Sequence, residues 1–270
     1  VTGEWRIFAR EYLDGRHVVK ADNRALPARS ADLARIQLQT YGAHFSEITK
    51  TRAGSLDLVT EFALQTGTWG SQQHRAGMAL VEGGYQPQGL KSIRPWFRAG
   101  YYWGSGDDDP GDARHATFFQ VLPTARPYAQ FPFYNMMNNV DRFAIIIVRP
   151  HQRLAVKSEI HSLRLAARND LWYLGGGAFQ PWSFGYQSRS AGGARSLANL
   201  WSATVEVNLN PHVSLAPYVG YAAGRSATGM SNGVCPSSAW TATRKMARAT
   251  NWVRKYGLPS HVMPKIDPVA

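Results

Sequence analysis

The stretch SLDLVTEFALQTG, residues 55–67, decides how the rest of the chain reads. Leu56, Leu58, Thr60, Phe62, Leu64 and Thr66 fall on one side of an extended backbone, and Asp57, Val59, Glu61, Ala63 and Gln65 on the other. A period of two is that of a strand, because successive Cβ atoms point to opposite faces. One face is hydrocarbon with threonines, while the other carries carboxylates.

The pattern recurs down the chain, with cations at polar positions. Residues 33–41 set Arg35, Gln37, Gln39 and Tyr41 against Ala34, Ile36, Leu38 and Thr40. Residues 92–103 set Arg94, Trp96, Arg98, Gly100 and Tyr102 against Pro95, Phe97, Ala99, Tyr101 and Trp103. Residues 155–163 place Lys157, Glu159 and His161 opposite Val156, Ser158 and Ile160; residues 199–209 place Ser202, Thr204, Glu206 and Asn208 opposite Trp201, Ala203, Val205 and Val207. Residues 213–221 alternate likewise. Short Pro-containing turns at 149–153 and 208–212 contrast with long Gly-, Ser-, Asp- and Arg-rich loops at 14–31, 104–114 and 180–197. The expectation is an all-β, antiparallel chain of about eleven or twelve strands.

Two architectures write such strands: a soluble sheet with a greasy core, or a transmembrane β-barrel with a greasy outside and a wet lumen. Strands of roughly 9 to 12 residues have the length that crosses a bilayer at a tilt, whereas soluble strands average about 5 to 6. Aromatics at the ends of apolar faces, such as Trp5, Trp69, Tyr101, Trp103, Trp172, Trp201 and Tyr221, suit interfacial girdles. These features favour the barrel and leave a soluble sandwich open. A chain of 270 residues with a mean hydropathy of −0.32 fits either architecture, since half of each barrel strand faces water. The longest apolar run, 143–148, falls far short of the roughly 18 residues that a spanning helix needs. Cys235 is the single cysteine, so neither an intrachain disulfide nor a cysteine-based metal site is expected. Residues 1–15 lack the basic start and apolar run of a signal peptide.

The net charge of +12 is mostly arginine. Its cations, among them Arg6, Arg10, Arg35, Arg75, Arg94, Arg98 and Lys157, are spread over polar positions of separate strands. A nucleic-acid patch would gather them in loops or on one helix face, so no nucleic-acid partner is expected. In a closed barrel these side chains point into one lumen and favour anions, with about half of them braced by Asp57, Glu61, Glu159 and Glu206. No catalytic residue emerges. There is no nucleophile elbow before a helix, and His115, His151, His161 and His212 lack metal-ligand spacing. Glu159 and His161 share a face, as a wall network or as the acid and base of a polysaccharide-cleaving enzyme; the network is the simpler reading. The glycines at 175–177 lack the Lys and Ser/Thr of a phosphate loop.

The most distinctive run breaks the alternation: GSGDDDPGD at 104–112, ARHATFFQVLPTARPYA at 113–129 and NMMN at 135–138. It strongly resembles the alginate-export family of outer-membrane porins, as do Arg149-Pro-His, KSEIH at 157–161, DLWY at 170–173 with GGGAF at 175–179, and LNPHVSLAPY at 209–218. The resemblance covers roughly residues 4–226. It implies an eighteen-stranded barrel in the outer membrane of a Gram-negative bacterium. Through it an anionic polysaccharide, alginate-like, would leave the periplasm, with outer-membrane lipid, the barrel assembly machinery and periplasmic export proteins as further partners. Carried over by position, Arg35, Arg94, Arg98, Lys157 and Glu159 are the lumen-lining candidates and Asp57 and Glu61 their wall partners. The family's acidic loop falls on Asp107, Asp108, Asp109 and Asp112. Their spacing lacks the regularity of a calcium loop, so a solvated outer loop is expected ahead of a calcium site, and no cofactor.

Two departures from the family complete the expectation. About eleven or twelve strands stand where eighteen are implied, so the chain is expected to carry about two thirds of a barrel. Residues 1–228 read as the barrel portion. Residues 229–270 read as an atypical basic tail, disordered or translated out of frame, with a basic amphipathic helix at 241–256 as the alternative. A soluble carbohydrate-binding or carbohydrate-cleaving protein and a barrel fragment without transport activity remain the competing readings.

Overall fold

The computed structural model describes residues 2–121, 131, 134–175, 180, 182–210, 212–228 and, for the backbone alone, 237–244. Thirteen strands, one six-residue helix and a 3-10 turn make up its regular structure. The long strands are β1 (Thr2–Asp14), β2 (Ile36–Lys50), β3 (Gly54–Trp69), β4 (Gln72–Pro87) and β5 (Trp96–Gly104). After β6 (Arg114–His115), a two-residue strand within a loop, come β7 (Val140–His151) and β8 (Leu154–Arg164). A hairpin of β9 (Leu171–Gly175) and β10 (Tyr186–Ser190) forms its own small sheet, and β11 (Ser196–Asn210), β12 (Val213–Gly224) and β13 (Ser237–Arg244) complete the chain.

The main sheet runs β1-β2-β3-β4-β5-β7-β8-β11-β12-β13, every step antiparallel, with β6 laid parallel on the start of β4. Long strands joined to their sequence neighbours give local pairing over 13 registered positions in β1–β2 and 16 in β3–β4. The sheet is open: among the described residues β1 pairs with β2 alone and β13 with β12 alone, so the expected barrel does not close here. β13 lies within the stretch read as a tail and pairs with β12 from Gly220↔Ser237 to Val213↔Arg244. This places 241–244 in a strand, where the sequence had offered a helix.

Connections sort by end. At one end short turns join β2 to β3, β4 to β5, β7 to β8 and β11 to β12; at the other the long connections leave β1, β5, β8 and β12, with the tight Gly70-Ser71 turn between β3 and β4. This matches the expected division into a short-turn rim and a long-loop rim.

The two faces of the sheet differ. On one, large apolar side chains are left exposed, with none of the described loops packed over them: Ile7 is 88% exposed, Trp5 70% and Leu64 66%. Tyr41, Phe62, Val81, Tyr101, Trp103, Ile160, Trp201, Val219 and Tyr221 continue this bare face, which with the first three residues spans eight strands. On the other, inner face, the long loops fold back and bury Ile36, Leu38, Trp69, Leu80, Tyr102, Phe143 and Leu200. The core of the molecule therefore lies between inner face and loops.

Candidate functional site

Cross-strand register lines up the inner-face residues near the short-turn end. One row reads Asp57, Gly84, Arg98, Ile145, Glu159, Ser202 and Gly220, running across β3, β4, β5, β7, β8, β11 and β12. Three of the residues proposed from the sequence thus share one line. Arg98 is its centre: Nε donates to Glu82 Oε1 at 2.5 Å, Nη1 lies 3.1 Å from Asp57 Oδ1, and the guanidinium stacks 4.3 Å from the Trp96 ring. Trp96 Nε1 donates to Asp57 Oδ2 at 2.7 Å. Gly84 stands between Asp57 and Arg98 in the row, and a Cβ there would meet the Asp57 carboxylate at 2.3 Å. The missing side chain on β4 is what lets residues on β3 and β5 touch.

Glu159 accepts a hydrogen bond from Ser202 Oγ at 2.8 Å and pairs with Lys157. Glu61 lies toward the long-loop end of the same face, 3.4 Å from His44 Nδ1. Arg94 belongs to the 88–95 turn; it holds a positive φ of 39° and donates from Nε to the Arg149 carbonyl at 3.2 Å. Arg149 in turn sits 6.0 Å from the Trp96 ring. Arg98 and Lys157 are therefore committed to carboxylates, while Arg94 and Arg149 have no carboxylate within ion-pair distance among the described residues. Glu82, Trp96 and Arg149 were missed by the sequence reading. Their signal was present in part, since Glu82 has the polar parity of β4 and Arg149 that of β7.

Two residues do not join this cluster. Arg35 is exposed one residue before β2, at the long-loop end. The polar face read for 33–41 is reversed: Ile36 and Leu38 are the buried, inner residues, and Gln37, Gln39 and Tyr41 face outward, where both glutamines bond Glu11. Arg75 likewise stands on the bare face, opposite Thr66.

The long-loop end of the inner face is a different environment. The 105–121 loop lays Phe119 against Trp69, and Gln65 clasps it by accepting from the Phe119 N–H at 2.8 Å and donating to its carbonyl at 2.9 Å. His115 stacks 4.1 Å from Trp69, and its Nδ1 lies 2.8 Å from His74 Nδ1. Because Gln65 Oε1 accepts from His74 Nε2, the bond between the two rings runs from His115 Nδ1–H to the His74 lone pair. His115 Nε2 is then a buried acceptor with no partner. Burial, with His74 and Arg24 adding to it, holds His115 well below the usual histidine range.

The acidic loop splits. Asp108, Asp109 and Asp112 are exposed; Asp109 and Asp112 cap N–H groups two residues on, and Asp108 accepts from the Asn169 N–H. Asp107 is buried against Asp170, and this corrects the expectation of a wholly solvated loop. Burial pushes Asp107 up to about 6. Asp170 is also raised by burial, although Thr117, Tyr173 and the N–H groups of Asp107 and Leu171 all donate to it. Among the described residues no three His, Cys, Asp or Glu side chains converge as a metal ion would require. Residues 122–130 and 176–179 of the distinctive motifs, and 245–270 of the tail, lie outside the described residues.

Comparison with known proteins agrees with this geometry. The family model described as alginate export matches residues 1–223. No curated protein matches the chain at a significant level.

Proposed function

The chain belongs to the alginate export family, and from that premise we propose that it forms the wall of an outer-membrane channel through which an anionic polysaccharide diffuses. The family is one of transporters rather than enzymes, which ties the chain to polysaccharide export. The finer reading, a transmembrane barrel of about eighteen strands completed beyond the sheet described above, is our proposal. So is the division near residue 228, with 229–270 outside the family match.

The observation that carries the proposal is the bare apolar face. A soluble sheet buries its greasy face, yet here the core lies on the opposite side and, among the described residues, no loop covers Ile7, Trp5 and Leu64. Water exposure of such a face costs about 25 cal/mol per Å², so a hydrocarbon solvent is its natural complement. The three cations on that face, Arg75, Arg142 and Arg164, fit the same orientation, because Arg costs about 2–4 kcal/mol at a bilayer midplane and about 0–1 near the interface. All three stand near the long-loop ends of their strands.

Within the lumen, Asp57, Glu82 and Arg98 together carry more negative than positive charge, and Lys157 with Glu159 is neutral. Anion preference therefore rests on Arg94 and Arg149, beside the Trp96 ring that offers a flat apolar surface to a sugar. Arg98, Asp57, Glu61, Lys157 and Glu159 hold the wall in shape. Conductance of the protein in planar bilayers under a salt gradient tests this reading. A reversal potential showing anion preference is expected, with the preference halved or better in Arg94→Ala/Arg149→Ala. A channel with no ion preference would remove the role given to these arginines, and a chain that stays monomeric in buffer without detergent would remove the membrane itself.

A further inference from the structure

Of the Lys and Arg residues on the spanning strands β1–β5, β7, β8, β11 and β12, those pointing to the bare face are Arg75, Arg142 and Arg164. Each is exposed, and none has an ion-pair or hydrogen-bond partner among the described residues. Their positions along the strands agree: Arg75 is the fourth residue of β4, which starts at the long-loop end, Arg142 the third of β7, and Arg164 the last of β8. Arg142 faces Ser162, and Arg164 faces Val140. The two guanidiniums are thus diagonal neighbours on adjacent strands, about 7–8 Å apart at the backbone, a span that one or two phosphate groups fill. Tyr101 pairs with Arg142 and Trp103 with Val140, so aromatic side chains adjoin the pair on the same face. On the same nine strands, the charged residue at the opposite end of this face is Glu47, while Glu11, in the row of Arg75 but three strands away, is already bonded by Gln37 and Gln39.

We propose that Arg75, Arg142 and Arg164 form a contact line for the phosphate groups of anionic lipid headgroups in the leaflet at the long-loop end of the protein. The inference rests on the membrane reading of the bare face and adds a leaflet and a headgroup chemistry to it. Arginine suits this role because its planar fork matches phosphate oxygens in pairs. A hydrocarbon slab alone gives no reason for unpaired cations to gather at one edge of an otherwise apolar face.

The test is retention of lipid by the full chain, reconstituted from mixed phosphatidylglycerol and phosphatidylcholine vesicles and analysed by native mass spectrometry. Each arginine is expected to favour the anionic lipid by about fivefold. The wild type should therefore retain phosphatidylglycerol preferentially, and R75Q/R142Q/R164Q should lose most of that preference. R52Q/R153Q, which neutralises two exposed cations in the short turns, should keep it. Equal retention by the triple variant and the wild type overturns the proposal. So does loss of preference that accompanies a change in oligomeric state, since the arginines would then face protein. Should the chain fail to enter vesicles of either lipid, the membrane reading itself falls. If it enters with no anionic preference, that reading stands and only the contact line is lost.

Discussion

The inner face of the sheet is built twice from the same strands. Near the short turns it carries Asp57, Glu82, Arg98, Lys157 and Glu159, held by charge-assisted bonds with none of the described loops packed over them. Near the long loops the same parity carries Ile36, Leu38, Trp69, Leu80 and Tyr102, sealed under Phe119, Met136 and Tyr186. The contrast teaches that alternation assigns a residue to a face but not to a medium. Position along the strand decides whether that face meets water or a folded loop.

The sharpest way to break this comparison is to remove the anchor of the sealed half. Trp69→Ala deletes a fully buried ring that touches His115, Phe119 and Phe184, and is expected to cost about 3–5 kcal/mol in denaturant unfolding from micelles. If the loss is instead below 1 kcal/mol, the loops do not rest on the sheet as described. In the open half, Arg98→Ala leaves two carboxylates facing each other without their cation. Water nearby reduces the penalty, so about 1–3 kcal/mol is expected, with Arg98→Lys recovering only part because it lacks the fork that serves both acids.

The smallest effect is a pH dependence confined to the sealed half. A released loop protonates His115 near 6.5, while the seated one, held well below that value, does not. The seated form therefore binds fewer protons and weakens as pH falls below 6.5, by at most about 1.4 kcal/mol per pH unit. Asp107 acts in the opposite sense. Seated, it keeps its proton up to about 6, and released, only to 3.8, so between these values seating strengthens as pH falls. Hydrogen exchange at residues 117–119 reads both. In His115→Phe the weakening below 6.5 should vanish and the acid-side gain remain, whereas Asp107→Asn should show the converse. Identical profiles for the two variants would mean that neither group governs how the loop sits.

These two halves also explain what could be read in the chain beforehand. Residues 55–67, 155–163 and 199–209 were assigned to the correct faces because their inner positions stay polar whether a loop covers them, as Phe119 covers Gln65, or not. Residues 33–41 were reversed for the opposite reason: Ile36 and Leu38 are apolar because a loop covers them, which alternation alone cannot distinguish from a lipid-facing pair. Arg75 was misplaced by the assumption that cations mark the inner face. Asp107 looked like its exposed neighbours Asp108 and Asp109, since only a partner 63 residues away, Asp170, makes it a buried group. Local pattern records strand and parity; contacts made by loops across such separations leave no local trace.

Asn138 has a consequence for how the covering loops come away. It is fully buried with a positive φ of 48°, a conformation that asparagine tolerates better than most residues. Its side-chain amide donates to the carbonyls of Ala167 and Leu171 and accepts from the Ala167 N–H, while Gly106 passes so close that a Cβ there would meet its Oδ1 at 2.0 Å. One side chain thus stitches the chain at 134–139 to that at 167–171. Lifting either segment breaks bonds that hold the other, so their openings are coupled and the free energy of releasing one includes these shared bonds.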